Sequence, residues 1–298
     1  MTGIQWTDRV WNPTTGCDRV SPGCDNCYAL TMARRLKGIG SAKYQRDGDP
    51  RTSGPGFGIT EHPDVLGEPS RWRKPSRVFV NSMSDLFHAG VSDECIARVF
   101  AAIALAPQHT FQILTKRHAR MRHLLNRRGF RTAVATEIAR SNDEVLRRDL
   151  VGWPLPNVHL GVSVEDQRRA DLRIPALMDT PATVRFLSCE PLLGEVDLRP
   201  WMVLAESDLT MVLPGLSWVI VGGESGAGAR PMDLDWARLL VKRCRDARVP
   251  VFVKQLGSAW ARDTCVRGEL LSRRDPKGGE PQWWPPDLRV REFPAVAS

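Results

Sequence analysis

The sequence predicts an α/β protein, a partial or full (β/α) barrel with parallel strands, preceded by an N-terminal cysteine loop and followed by an irregular C-terminal tail. Three observations carry that prediction. Six short β-branched runs recur from residue 77 onward, amphipathic segments of helical length lie between them, and polar residues follow each run. A doubly wound open sheet is the second architecture that fits.

Taken in chain order, residues 1–37 form the cysteine loop region. Residues 38–76 are rich in Gly, Pro, Ser and charge without an apolar period, and read as an excursion or lid. Residues 77–256 form the barrel core, within one domain spanning 1–298. Its strands fall at Val78–Val80, Thr110–Leu114, Val158–Val162, Val184–Leu187, Trp218–Val221 and Val251–Val253. Between the first two, Ser92 is a good N-cap ahead of Asp93 and Glu94; Ile96, Val99, Phe100 and Ile103 then recur at helical spacing before Pro107. A second amphipathic helix runs from about Asp233 to Arg248, with Trp236, Leu240 and Cys244 on one face. Residues 257–298, with Trp260, Trp283, Trp284 and several prolines, form the packing tail.

Strand, helix, strand at this spacing implies right-handed parallel units, which place their chemistry at the C-terminal strand ends. Asp85, Lys116 and Arg117, Ser163 and Glu165, Ser188 and Glu190, Gly222-Gly223-Glu224-Ser225, and Lys254 follow the six runs in turn. Lys116, Arg117 and Lys254 are candidates to hold an anionic substrate, and Asp85 or Glu224 to bind ribose hydroxyls. The glycine turn at Gly222 and Gly223 could offer backbone N–H groups to an anion or cofactor.

The chain has 298 residues, with 42 Lys+Arg against 34 Asp+Glu, a formal net charge of +8. At 42% hydrophobic and 26% charged residues, a disordered chain is excluded. The longest uncharged apolar run, Val99 to Ala106, is far short of the roughly 20 residues that span a bilayer. The N-terminus lacks the charged-then-apolar pattern of a secretion signal, so a cytoplasmic, non-membrane protein is expected. Residues 112–150 hold ten Lys/Arg against four acids, a net of +6. Nucleic acid is the natural polyanionic partner, DNA ahead of RNA, unless the segment is simply a solvated face. Arg127 and Arg128, beside Gly129 in a predicted loop, are candidate phosphate contacts.

Seven cysteines are an odd number, and three lie close together: Cys17, Cys24 and Cys27, spaced C-x6-C-x2-C. A C-x2-C pair suits a thiolate chelate, and the third cysteine narrows the choice to zinc or an iron–sulfur cluster. Zinc wants a fourth ligand, and Cys189 or Cys265 are distant candidates for it. Cys95 and Cys244, on predicted helices, read as ordinary buried thiols.

These features coincide with a resemblance. Gly3 to Asp8, Trp11-Asn12-Pro13, Gly16-Cys17 through Tyr28-Ala29, Leu114-Thr115-Lys116-Arg117, Gly161 to Glu165, Leu187 to Leu193, Val221 to Gly226 and Phe252 to Gln255 resemble the phage-encoded three-Cys-motif proteins. The plan of those proteins is similar to radical S-adenosylmethionine (SAM) enzymes of the spore photoproduct lyase type. The resemblance implies a partial (β/α) barrel whose loop holds a [4Fe–4S] cluster on Cys17, Cys24 and Cys27. It also implies a SAM site at Gly222 and Gly223, with Ser163, Glu165, Ser188 and Glu190 nearby. The radical SAM pattern itself is C-x3-C-x2-C, three residues shorter between its first two cysteines.

The function so implied is an iron–sulfur, radical SAM-like enzyme that modifies or repairs nucleic acid or a nucleotide. It would work in the host cytoplasm, with a phage protein as a possible partner. A nucleic-acid-binding protein with a structural zinc or iron–sulfur site is the alternative. A hydrolase using Glu165, Glu190 and Glu224 with a divalent metal comes last, because it leaves the cysteines unused.

Overall fold

Seven strands make the main sheet of the computed structural model, in which residues 4–140, 152–204, 211–212, 215–266 and 268–295 are described. They are β1 (Arg9–Trp11), β2 (Arg77–Val80), β3 (Thr110–Thr115), β4 (Val158–Ser163), β5 (Val184–Cys189), β6 (Trp218–Gly222) and β7 (Val251–Gln255). Their order in the sheet is their order in the chain. Val78 pairs in parallel with Val10's neighbour Arg9 on one side and with Phe111 on the other. Trp218 pairs in parallel with Phe186, and Val219 with Val251. The order has two ends, so the architecture is the partial (β/α) barrel of the two forms expected. All six predicted strands are present. The seventh, β1, has a single β-branched residue in three positions and owes its strand to pairing with β2 rather than to its own composition.

The helices of six or more residues among the described residues are α1 (Tyr28–Gly38), α2 (Asp93–Ala104), α3 (His118–Asn126), α4 (Arg128–Arg140), α5 (Gln167–Met178), α6 (Leu234–Asp246) and α7 (Ser258–Asp263). Ser92 caps α2 as predicted, its hydroxyl accepting from Cys95 N at 3.0 Å. Asp233 caps α6 by accepting from Asp235 N. Arg128 and Gly129 begin α4 rather than lying in a loop, and Arg127 alone joins α3 to α4. The reason is tertiary: Phe130, Val134 and Ile138 recur at helical spacing and are buried, with Phe130 against Phe100 of α2. Arg147 and Arg148 lie outside the described residues. No helix among the described residues is long and apolar enough to cross a membrane.

The chain divides into two compact units, the first comprising Met1–Val20, Ala29–Gly161 and Ala176–Thr183, the second Ser21–Tyr28, Val162–Pro175 and Val184–Ser298. In the first, β-branched and aromatic side chains of β2 and β3 (Val78, Val80, Phe111, Ile113) are buried with the apolar face of α2 (Ile96, Val99, Phe100, Ile103). The predicted excursion contributes to this core through Tyr44, Phe57 and Val65. In the second, β6 is buried at every position, and Leu240 and Cys244 of α6 are buried with it. The C-terminal tail packs on β7 through a backbone bridge from Phe252 to Arg291, whose guanidinium covers the Phe252 and Trp284 rings.

Candidate functional site

In the first unit, the chain leaves β1, passes Thr14 and Thr15, and reaches Gly16 at φ +92°. A Cβ there would meet Gly58 O at 2.3 Å, so glycine is demanded both by the conformation and by the space. This turn delivers Cys17 and Asp18 beside the end of β2. Cys17 is half-buried and in no disulfide. Asp18 accepts from Thr52 Oγ1 at 2.6 Å, from Ser53 Oγ at 3.0 Å and from His88 Nε2 at 2.9 Å. Gly90 N donates to His88 Nδ1 at 3.0 Å, which puts the ring proton on Nε2, directed at Asp18. Burial, with the nearby Arg117 cation, pushes the His88 pKa down, so the ring is neutral at pH 7. Burial works against the Asp18 carboxylate, but the donors Thr52, His88 and Ser53 outweigh it and hold its pKa below the ordinary value.

Asp85 sits at the end of β2 with its carboxylate fully engaged. It accepts from Thr115 Oγ1 at 2.7 Å, Lys116 N at 2.9 Å and Phe87 N at 3.0 Å. It therefore fixes the strand end that presents Lys116 and Arg117. Arg117 donates to the Asp18 carbonyl at 3.3 Å, and its Nε is buried with no hydrogen-bond partner among the described residues. The structure thus brings Asp85, Lys116 and Arg117 together with the Cys17 turn.

In the second unit, Pro22, Gly23 and Cys24 form a turn of 3-10 helix, and Cys27 N donates to Cys24 O at 3.3 Å. Cys24 and Cys27 are half-buried and in no disulfide. The turn is fastened to the end of β6. Asn26 Nδ2 donates to Glu224 Oε2 and to Gly228 O, both at 2.9 Å. Arg230 donates to Glu224 through its backbone N–H, Nε and Nη2, and to Pro22 O at 2.8 Å. Burial disfavours the Glu224 charge, but the Arg230 and Asn26 bonds prevail and lower its pKa.

The other two strand-end glutamates are neutralised in the same way. Glu165, fully buried, accepts from Arg173 Nη1 at 2.8 Å, and Arg173 also donates to Ser163 O at 2.8 Å. Glu190 pairs with Lys254, as two of the predicted candidates meet. Val164 N donates to Ser188 O at 2.8 Å, joining the strand ends that carry Ser163 and Ser188. Gly23 abuts the Glu165 side chain, so the cysteine turn and that carboxylate are neighbours. Ser225 is half-buried in the loop after β6. A Cβ on Gly223 would meet Leu256 O at 2.4 Å, so the backbone after β7 is what requires glycine there.

Asn26, Arg173 and Arg230 are absent from the predicted residues. Arg173 follows Glu165 by eight positions, about two helical turns, the one trace of its role that the sequence carries. Arg230 follows its partner Glu224 by six positions, but its bonds to Pro22 and Asp25, some two hundred positions away, leave no trace in the sequence.

Of the remaining cysteines, Cys95 and Cys244 are buried on α2 and α6 as expected. Burial and the nearby Glu61 push the Cys95 pKa up to about 12. Burial does the same to Cys244, also to about 12, and drives Cys189 upward. Such thiols stay protonated. Among the described residues, no group of three or more His, Cys, Asp or Glu side chains is already gathered to hold a metal ion.

The basic segment is matched by acids along much of its described length. Asp93 pairs with both Arg120, at 2.7 Å, and Arg127, at 3.2 Å; Asp179 pairs with Arg122; Glu137 pairs with Arg140. Arg131 covers the Trp153 ring.

A family described as a protein of unknown function (DUF5131) matches residues 1–280. The chain belongs to this DUF5131 family. The match takes in the cysteine turn, every strand of the main sheet and each of the strand-end residues above. No curated protein and no solved structure matches the chain.

Proposed function

We propose that this DUF5131 protein is an iron–sulfur, radical SAM-like enzyme acting on nucleic acid or a nucleotide, with a cluster held by Cys17, Cys24 and Cys27. The observation that carries this reading is the state of those thiols. All three are half-buried and in no disulfide, whereas Cys95, Cys189 and Cys244 are buried with raised pKa values. Three half-buried thiols within eleven residues are a donor set suited to iron or zinc.

When bound, a [4Fe–4S] cluster supplies one electron for reductive cleavage of SAM. The protein's own residues do the rest. Asn26 and Arg230 hold the Cys24–Cys27 turn against Glu224. Arg117, through its buried Nε–H, offers a donor to an anionic group beside the Cys17 turn. Lys254 and Glu190 form an ion pair that a charged substrate group could exchange with. The resemblance to the phage three-Cys-motif proteins supports the same reading, and a host-cell setting and phage partner belong to it.

Anaerobic reconstitution with iron and sulfide, followed by SAM titration under electron paramagnetic resonance, tests the proposal. Alanine at Cys17, Cys24 or Cys27 is expected to abolish iron loading, and Cys95→Ala to leave it intact. Equal iron content in Cys17→Ala and the unaltered protein overturns the assignment. Stoichiometric zinc in place of iron favours the structural-metal alternative.

A further inference from the structure

A cavity of about 250 Å³ lies in the first unit, lined in part by Arg19, Arg34, Asp47, Arg51, Thr52 and Ser53. Its ionic groups are unevenly matched. Arg51 is held by Asp49, through Nε at 3.2 Å and Nη2 at 2.9 Å. Asp47 is taken by Lys37 Nζ at 2.5 and 2.6 Å and by Gly56 N at 2.7 Å. Arg19 and Arg34 have no acid: neither makes an ion pair or a side-chain hydrogen bond among the described residues. With Lys37, Asp49 and the Asp18 carboxylate that Thr52 and Ser53 hold included, four cations face three carboxylates, and the two cations that no carboxylate pairs are the guanidinium groups of Arg19 and Arg34.

The loop that lines the cavity is fixed in advance. Ser53 N and Gly54 N both donate to Asp49 O at 2.9 Å, and Gly48 N donates to Gly54 O at 2.9 Å. Thr52 Oγ1 and Ser53 Oγ spend their protons on Asp18 and so present only lone pairs elsewhere. A ligand here meets guanidinium donors and hydroxyl acceptors. The volume falls just under the roughly 300 Å³ at which pockets for drug-sized ligands begin, so it suits one small anionic group rather than a whole cofactor.

We propose that this cavity binds a phosphate monoester, with Arg19 and Arg34 as its two guanidinium clamps and Thr52 or Ser53 accepting from a neighbouring ligand hydroxyl. A phosphate monoester carries about −1.5 to −2 at neutral pH and has three terminal oxygens, enough to accept from both unpaired guanidinium forks at once, where a carboxylate has two. Arginine forks suit the tetrahedral oxygens better than lysine would. The same chemistry is found on a free nucleotide and on the 5′ end of a nucleic acid.

Phosphate binding in this cavity needs no cluster, and iron content is read separately. Calorimetric titration of the full chain with adenosine 5′-monophosphate is expected to show saturable binding that adenosine lacks. Arg19→Gln and Arg34→Gln, both exposed positions, should each weaken it about tenfold with the thermal unfolding curve unchanged, while Arg168→Gln should bind as the unaltered protein does. A parallel titration with a 5′-phosphorylated oligonucleotide assigns the source: a tenfold loss there in the same variants names a nucleic-acid end, and no loss names a free phosphate ester. Equal affinity of all variants for adenosine 5′-monophosphate, or equal binding of adenosine and its monophosphate, overturns the proposal.

Discussion

The basic segment after β3 and the glutamates that follow β4, β5 and β6 are both rows of ionic residues, and each is matched by opposite charge, but the two are built for different solvents. In the basic segment, Arg127 and Asp93 meet with half of each side chain exposed. At the end of β4, Glu165 is 0% exposed and its partner Arg173 is 5% exposed. Exposed pairs in high dielectric contribute little, whereas a charge buried in a pair is costly to leave alone. The comparison teaches that a run of like charges along a sequence overstates the field it makes, since Asp93 and Asp179, both from outside the run, cancel part of it. It also separates those paired arginines from Arg19 and Arg34, which have no acid to meet.

The largest expected effect comes from breaking the buried pair. Arg173→Met leaves Glu165 charged and buried, and should destabilise the protein by about 3 to 5 kcal/mol in urea unfolding. A loss under about 1 kcal/mol would show that Glu165 is solvated in solution, and would erase the contrast between the two regions.

A buried group with no counter-charge sharpens the contrast. Burial pushes the pKa of His159 down to about 4, from an ordinary 6.5. Since the folded-state pKa is the lower one, the unfolded chain takes up the proton first, and stability falls as pH drops from about 6.5 toward 4. By linkage this amounts to about 3 kcal/mol over the window. Unfolding measured across that range should show the slope, and His159→Leu should flatten it.

Glu224 is intermediate, buried itself but paired with a half-exposed Arg230. Glu224→Gln should cost about 2 kcal/mol, the scale of a charge-assisted hydrogen bond, and loosen the Cys24–Cys27 turn. Because its folded pKa lies below the ordinary 4.5, the carboxylate's contribution is present above that value and fades as pH falls through the folded pKa. Acid titration of the variant should therefore lack that part of the decline, and proteolysis should cut near residue 25 sooner than in the unaltered protein.

The smallest effect belongs to the exposed pair. Arg127→Ala should change stability by less than about 1 kcal/mol. If the segment binds nucleic acid, the same change should also lower the slope of log affinity against log salt by about 0.7 to 0.9, the loss of one phosphate contact. An unchanged slope means that Arg127 stays with Asp93 and the segment is a solvated face.

Much of this was legible along the chain because it depends on neighbours a few residues apart. The six β-branched runs declared the strands, Ser92 and Asp233 declared their helices, and C-x6-C-x2-C singled out three thiols that are half-buried where Cys95, Cys189 and Cys244 are buried. Strand β1 was not legible, since three residues with one valine acquire their conformation from β2. Nor was α4, where Gly129 and paired arginines suggested a loop and the burial of Phe130, Val134 and Ile138 decided for a helix.

By itself the sequence determined the alternation of strands and helices, and with it which residues stand at strand ends, because backbone periodicity is a local property. Only the tertiary structure decided the protonation and pairing of those residues. Glu165 is neutralised by Arg173 and Glu224 by Arg230, which bonds also to Pro22 two hundred positions away, because electrostatic energy depends on distance and burial in space, and neither is a function of position along the chain.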